Sequence, residues 1–323
     1  MSRPVADHPE DVADRGPLRF ERRAMGSPLR LQVSGIDAAA AAAGWLRVTA
    51  EIEAAEEALS RFRDESEVTR LNRLAGSGRE MIVSARLYRA LAAAERARRV
   101  SDGRFDPRVL ADLERLGSAG APLGDLAVPE AGRRGAGPWL RRDPRSRSVG
   151  LSAPVDLGGI GKGLALRWAW RRLTAGPHPP LGALLEAGGD LVLGGSAPDG
   201  GPWRVGIEDP AGSAEPLAVI ALNAGAVCTS SARIGRWRAP DGRLVHHLID
   251  PRTGEPGGTG LQAVTVAAAD PAWAEVWSKT LFLAGRREVG PLARSRGLAA
   301  WWVDDTGSLE MTPAARPATA WPA

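Results

Sequence analysis

"PAWAEVWSKTLFLAG", residues 271–285, reads as a helix in a half of the chain that otherwise runs in short strands. Apolar runs at 183–193, 203–207, 217–222, 244–249 and 262–268 are separated by clusters of Gly, Pro and Asp, the pattern of a mostly antiparallel sheet. One other stretch breaks that rhythm, "GKGLALRWAWRRLTA" (161–175). Helices set among antiparallel strands make the class α+β, with a mostly antiparallel or mixed sheet core and flanking helices.

The first half adds helices. "LRFERRAMGSPLRLQV" (18–33) has two strand-like runs about a Gly-Ser-Pro turn, which predicts a hairpin. From 38 to 59 the chain is rich in Ala and Glu, with Trp45, Leu46, Val48, Ile52 and Leu59 forming an approximate helical stripe, and 84–100 repeats that character behind a capping Ser84. Residues 117–149 are rich in Gly, Pro and Arg and read as an irregular excursion before the strand at "SVGLS". The expected organisation is a disordered polar tail (1–16), a single domain (17–315) with room for two subdomains, and a second tail (316–323). No internal repeat is present.

Composition excludes several classes. The chain has 323 residues, 44% hydrophobic and 25% charged, with a formal net charge of only +4, ordinary for a globular protein. Arg-rich pieces such as "RRDPRSR" (141–147) carry no interleaved aromatics, so no nucleic-acid partner is expected. No segment has the roughly 18 uninterrupted apolar residues of a membrane span, so no membrane insertion is expected. A single cysteine, Cys228, rules out an internal disulfide framework and suits a reducing compartment, with the cytoplasm as the expected location.

The lysines are informative. Of 42 Lys plus Arg, only Lys162 and Lys279 are lysine. A lysine surviving such an arginine bias marks a place that wants a compact ammonium on a thin stem; drift is the competing explanation. Lys162 lies in "DLGGIGKG" (156–163), which follows a strand and opens a helix, bringing backbone N–H groups to a helix N-terminus where a phosphate binds. The familiar phosphate motifs fail here: Asp156 and Gly163 stand where a Walker A loop needs Gly and Ser or Thr, and Leu164 stands where GxGxxG needs its last Gly. A tight strand-to-helix turn is the other reading.

"HHLIDPRTGEP" (246–256) clusters His247, Asp250 and Arg252, the types that supply a general base, its orienting carboxylate and an anion clamp; a plain hairpin turn explains the same residues equally well. "CTSSARIGRW" (228–237) offers three hydroxyls and two arginines as a phosphate-facing edge or a solvated turn. In "SDGRFDP" (101–107), Phe105 is either core or a wall for a ring system.

In order and spacing, "AMGSPLRL", "LSRFRDESEVTRLNR", "DGRFDPRV", "VDLGGIGKG", "LLEAGGDLVLGG", "WRVGIEDP", "HHLIDPRTGEP" and "AEVWSKTLFLAG" together resemble the ApbE family of FAD:protein FMN transferases, from about residue 20 to 305. The resemblance implies a chain that binds FAD, cleaves its pyrophosphate with Mg2+ and transfers FMN to a Thr or Ser hydroxyl of an acceptor flavoprotein, releasing AMP. It implies that Met25, Phe62, Gly103, Arg104 and Phe105 hold the flavin and adenine parts of FAD, although the family usually has Tyr at the place of Phe62. Asp156 and Lys162 match polar contacts of the glycine loop, and Thr229 and Asp250 line the same cleft. His247 matches the residue that deprotonates the acceptor hydroxyl. A flavin-binding protein that has lost turnover and an FAD pyrophosphatase are the alternatives.

The resemblance also implies a metal site, and there this chain departs. The family's helix reads Ala-Asp-Ala-x-x-Thr, whose Asp and Thr join a glycine-loop carbonyl, near Gly159 here, as Mg2+ ligands. Glu275 takes the Asp place and Lys279 the Thr place. A Glu still offers oxygen to a hard cation, but a protonated Lys has no lone pair and repels one. The expectation is that the Lys279 ammonium fills the metal's space, pairs with Glu275 one turn away and presents a built-in cation to the pyrophosphate. A lysine pointing elsewhere, with a distorted Mg2+ site still in use, is the competing outcome.

Overall fold

The computed structural model describes residues 16–120 and 138–320. Nearly all of the expected N-terminal tail and the middle of the 117–149 excursion lie outside the described residues. In chain order the elements are β1 (Leu18–Ala24), β2 (Ser27–Ser34), α1 (Ala38–Leu59), α2 (Glu67–Asn72), β3 (Met81–Ile82), α3 (Ala85–Val100), α4 (Leu110–Arg115), β4 (Leu140–Arg142), β5 (Ser148–Leu151) and α5 (Gly161–Thr174). Then follow β6 (Gly182–Ala187), β7 (Asp190–Gly195), β8 (Trp203–Ile207), β9 (Ala218–Leu222), β10 (Ala224–Ser231), β11 (Arg236–Arg238), β12 (Leu244–His246), β13 (Leu261–Ala268), α6 (Pro271–Ser295), β14 (Ala299–Asp304), β15 (Leu309–Met311) and β16 (Thr319–Ala320). The α+β class is as expected.

An eight-stranded sheet in the order β1-β2-β6-β7-β10-β13-β14-β15 forms the centre, and each neighbouring pair in it is antiparallel. Its apolar residues divide between two faces because side chains alternate along a strand. Leu29, Leu31 and Val33 of β2, Ala183 and Leu185 of β6 and Cys228 of β10 pack with Val48 and Ile52 of α1 and Ala165, Leu166 and Ala169 of α5. On the other face Leu191, Leu193, Val227 and Trp301 meet Trp203, Ile207 and Ile220 of a small β16-β9-β8 sheet. Burying a side chain such as Leu185 or Ile220 contributes about 1.5–3 kcal/mol, so this double-faced layer anchors the strand ends that carry the site. A further core joins α2, α3 and the β3-β5-β4 sheet through Leu71, Leu87, Leu91 and Val149.

α5 and α6 cross closely, and Gly163 is the reason they can. A Cβ there would stand 2.5 Å from both Ala272 Cα and the Pro271 carbonyl oxygen. α6 starts on Pro271, with the Asp270 carboxylate accepting from Trp273 N–H and pairing with Arg167. It does not end at Gly285 as its sequence signalled: Gly285 (φ 76°) is a kink, Arg286 N–H donates to Thr259 O at 2.9 Å, and the helix resumes to Ser295.

Three other local expectations shift. The β1–β2 hairpin turns on Met25 and Gly26, both at positive φ, and Ser27 and Pro28 are already in β2. β4 lies within the stretch expected to be irregular. The chain after 315 is not simply a tail, because β16 pairs with β9.

Candidate active site

Chain segments far apart in sequence converge on a cleft of about 730 Å³, a size suited to a cofactor-scale ligand. The β1–β2 turn brings Met25 to it, the end of α1 brings Arg61 and Phe62, and the loop after α3 brings Arg104 and Phe105. The glycine loop contributes Asp156, Gly159 and Lys162, β10 contributes Thr229, the β12 end His247, and α6 Glu275 and Lys279.

The glycine loop is positioned by Asn72. This fully buried side chain clamps Val155 from both sides, its Nδ2 donating to the Val155 carbonyl at 2.8 Å and its Oδ1 accepting from Val155 N–H at 2.9 Å. Asp156 then turns its carboxylate onto Gly158 N–H at 2.9 Å and lies 3.6 Å from Arg61. Arg61 spans the cleft edge, donating to Ala119 O and Ser118 Oγ, and its guanidinium stacks 4.2 Å from the Phe62 ring centroid. Phe62 is 65% exposed, so its outer face is open to a planar ligand, whereas Phe105 is buried and packs on Gly159.

The floor is a charge cluster. Lys162 Nζ lies 2.6 Å from Asp190 Oδ2, while Asp190 Oδ1 accepts from Thr229 N–H at 3.2 Å. Burial works against the Lys162 ammonium, but Asp190 and Glu275 outweigh it and hold its pKa above the usual lysine range. Glu275 Oε2 accepts from Gly163 N–H at 2.8 Å, so its carboxyl caps the N-terminus of α5. Its other oxygen, Oε1, is buried without a hydrogen-bond partner, and burial together with Asp190 pushes the group up to about 7.

Glu275 and Lys279 are therefore not the ion pair their spacing predicted. Among the described residues Lys279 makes no hydrogen bond or ion pair. Its Cδ and Cε run 3.1 Å from the point where a Cβ on Gly159 would stand, and burial, opposed by Glu275, lowers its pKa.

His247 is oriented by the backbone. Its Nδ1 lies 3.0 Å from the Ile234 carbonyl, which only accepts, so Nδ1 carries the proton and Nε2 is the ring's open acceptor. The ring rests on Gly235. Burial, and then Lys279, lower its pKa to about 3.

Two expected site residues do not face the cleft. Asp250 accepts from Arg252 N–H at 2.9 Å and pairs with the Arg252 guanidinium at 2.7 Å, holding its own turn rather than orienting His247. Gly103 (φ 77°) closes α3, its N–H donating to Arg98 O, and the next residue is the first to reach the cleft. Arg104 is tied to Glu288 but leaves Nη1 buried and without a hydrogen bond. Asp190, Asn72 and Arg61 were not singled out from the sequence. Only the Gly188–Gly189 turn just before Asp190 hinted at any of them.

The donor set does not suit a divalent cation. Glu275 Oε1 is an orphaned oxygen such an ion would claim, yet the space beside Gly159 is filled by the Lys279 arm, and two ammoniums face the same floor. Among the described residues no three His, Cys, Asp or Glu side chains converge in a metal-holding group, and Mg2+ demands near-octahedral oxygen ligation.

The profile of the ApbE family matches residues 25–302. A protein from Klebsiella pneumoniae (strain 342) named FAD:protein FMN transferase is 31% identical over 278 residues, covering 84% of this chain and 84% of that relative. One of the same name from Salmonella typhimurium is 28% identical over 305 residues, covering 89% and 84%. The crystal structure of the ApbE protein of Thermotoga maritima superposes with a TM-score of 0.81 at 26% identity, over 94% of this chain and 99% of that one. The apo flavinyl transferase ApbE of Pseudomonas stutzeri gives 0.77 at 26% identity, over 94% and 96%.

Proposed function

This chain belongs to the ApbE family, and on that premise we propose that it transfers the FMN moiety of FAD to a Thr or Ser hydroxyl of an acceptor protein and releases AMP. The observation that carries the reading is a single cleft in which an open imidazole acceptor, Nε2 of His247, faces a floor of lysines at a glycine-rich helix start.

Phosphoryl-type transfer needs position and charge more than covalent help from the protein. The acceptor oxygen attacks the phosphorus of the FMN phosphate while the anhydride P–O bond to AMP breaks, and the hydroxyl proton passes to His247 Nε2. The low proton affinity of His247 in the free cleft keeps it neutral and ready to accept; the approaching dianionic pyrophosphate raises that affinity when the base is needed. Lys162, fixed on Asp190, and the N–H groups at the start of α5 provide positive potential. Phe62 and Arg61 offer a stacking platform at the rim. Because the floor does not suit Mg2+, no step is assigned to it.

No helix among the described residues is long and apolar enough to cross a membrane; the single cysteine supports a reducing compartment, and we place the acceptor there, in the cytoplasm. The test is a Thr-containing acceptor peptide incubated with FAD and the protein, then resolved under denaturing conditions. Covalent flavin fluorescence on the peptide is expected, and its loss in His247→Ala. A peptide that never becomes fluorescent would refute the transferase reading.

A further inference from the structure

Among the described residues, only one of the two ammoniums on the cleft floor is in an ion pair. Lys162 is engaged by Asp190 at 2.6 Å. Lys279 is half-buried and, among the described residues, bonded to nothing. The carboxylate best placed along its own helix, Glu275, is turned away to Gly163 N–H of α5. The side chain is confined, because its methylenes lie against Gly159 at 3.1 Å from where a Cβ would stand, on the same side as the Phe105 ring at 2.8 Å from that point. A cation held by its stem, with its head on a ligand cleft and no carboxylate in ion-pair contact among the described residues, is stabilised when an anion binds.

We propose that Lys279 is a phosphate-binding cation that stands in for a divalent metal, so that this protein binds the pyrophosphate of FAD without Mg2+. The inference rests on the flavin-transferase reading and adds to it a metal-independent substrate site. Lys162 adds to the positive potential of the floor but is fixed on Asp190 at 2.6 Å, so it does not fill the metal's place beside Gly159, where the Lys279 arm lies. Nor does Arg104, which is tied to Glu288 through Nη2 and does not lie against Gly159 as the Lys279 arm does. In the transfer Lys279 makes and breaks no covalent bond. The acceptor oxygen bonds to the FMN phosphorus, the electron pair of the broken P–O bond leaves on the AMP phosphate, and the ammonium keeps its protons while neutralising the pyrophosphate.

The test compares FAD binding, followed by flavin fluorescence, in EDTA and in millimolar Mg2+, for the wild type, Lys279→Met and Lys279→Thr, with riboflavin as a ligand lacking phosphate. The wild type is expected to bind FAD equally within twofold in both conditions. Lys279→Met is expected to lose about 10–100-fold in FAD affinity, the scale of one charge-assisted contact, with riboflavin affinity unchanged; a merely structural role would weaken both ligands together. Lys279→Thr, which returns a hydroxyl and removes the ammonium, is expected to recover FAD affinity only when Mg2+ is added. Wild-type FAD binding that appears only with Mg2+, or a Lys279→Met protein that binds FAD as the wild type does, would overturn the proposal while leaving the transferase reading standing. A wild type that binds no FAD in either condition would sink both.

Discussion

Gly235→Ala tests how tightly the site holds its base. A Cβ at this residue would stand 2.7 Å from His247 Nδ1 and 3.2 Å from Cγ, where ordinary contact begins at 3.4 Å. Ring or backbone must therefore shift by ~0.7 Å, and either movement disturbs the 3.0 Å contact between Nδ1 and Ile234 O that fixes the tautomer. Misplacing a reacting group by about 1 Å costs on the order of 100-fold in rate, so we expect kcat for AMP release to fall about 10–100-fold. The backbone adds a stability cost, because φ at Gly235 is +64° and an L side chain there costs about 1–2 kcal/mol. FAD affinity is expected to hold within about threefold, since the proposed role of His247 is to take the acceptor's proton and not to hold the flavin. Steady-state AMP release with acceptor peptide, beside FAD titration and urea unfolding, separates these effects. A folded Gly235→Ala protein with wild-type kcat would refute the assignment of His247 as a positioned base.

Asn72→Leu removes both partners of the Val155 peptide groups without changing bulk much. Two buried backbone groups left unpaired cost about 2–5 kcal/mol, to be seen as a lower urea midpoint at constant m-value, and an unchanged midpoint would contradict the clamp. Asp250→Asn is expected to keep kcat within about threefold, because Asp250 serves Arg252 and its turn; a loss as large as that of His247→Ala would return Asp250 to the chemistry. Stability is expected to fall as pH drops from 6.5 toward 4. Burial holds folded His246 at about 4 and His247 at about 3, against an ordinary 6.5, so the unfolded chain takes up protons first and the stabilisation present above 6.5 is lost. The midpoint of unfolding against pH checks this, with His247→Asn flattening that slope and an identical slope contradicting it.

What the sequence made legible was what short-range pattern controls. The stripe from Trp45 to Leu59 and the apolar runs of β6 to β13 reported their elements because periodicity and turn residues are local signals. Where a local rule competed with a tertiary partner, the partner won. Gly285 carries a stop signal, yet Thr259 O accepts from the next N–H and α6 continues. Glu275 and Lys279 have ion-pair spacing, yet the open N–H of Gly163 takes the carboxylate. Asp250 sits beside His247 in the chain, yet Arg252 claims it and a carbonyl 13 residues back orients the imidazole. Asp190 and Asn72 were invisible for the same reason, since their partners Lys162 and Val155 are remote in sequence and nothing about a lone Asp or Asn announces them.

The most direct test of the central claim is the stoichiometry of one reaction. FAD, the protein and a peptide with a single Thr are mixed, and AMP is quantified alongside the mass of the peptide. The account predicts one AMP per flavinylated peptide and neither product when that Thr is Val. AMP and free FMN released at the same rate without the peptide would make the protein a pyrophosphatase, and bound FAD with no AMP at all would make it a flavin-binding protein; either result contradicts the transfer proposed here.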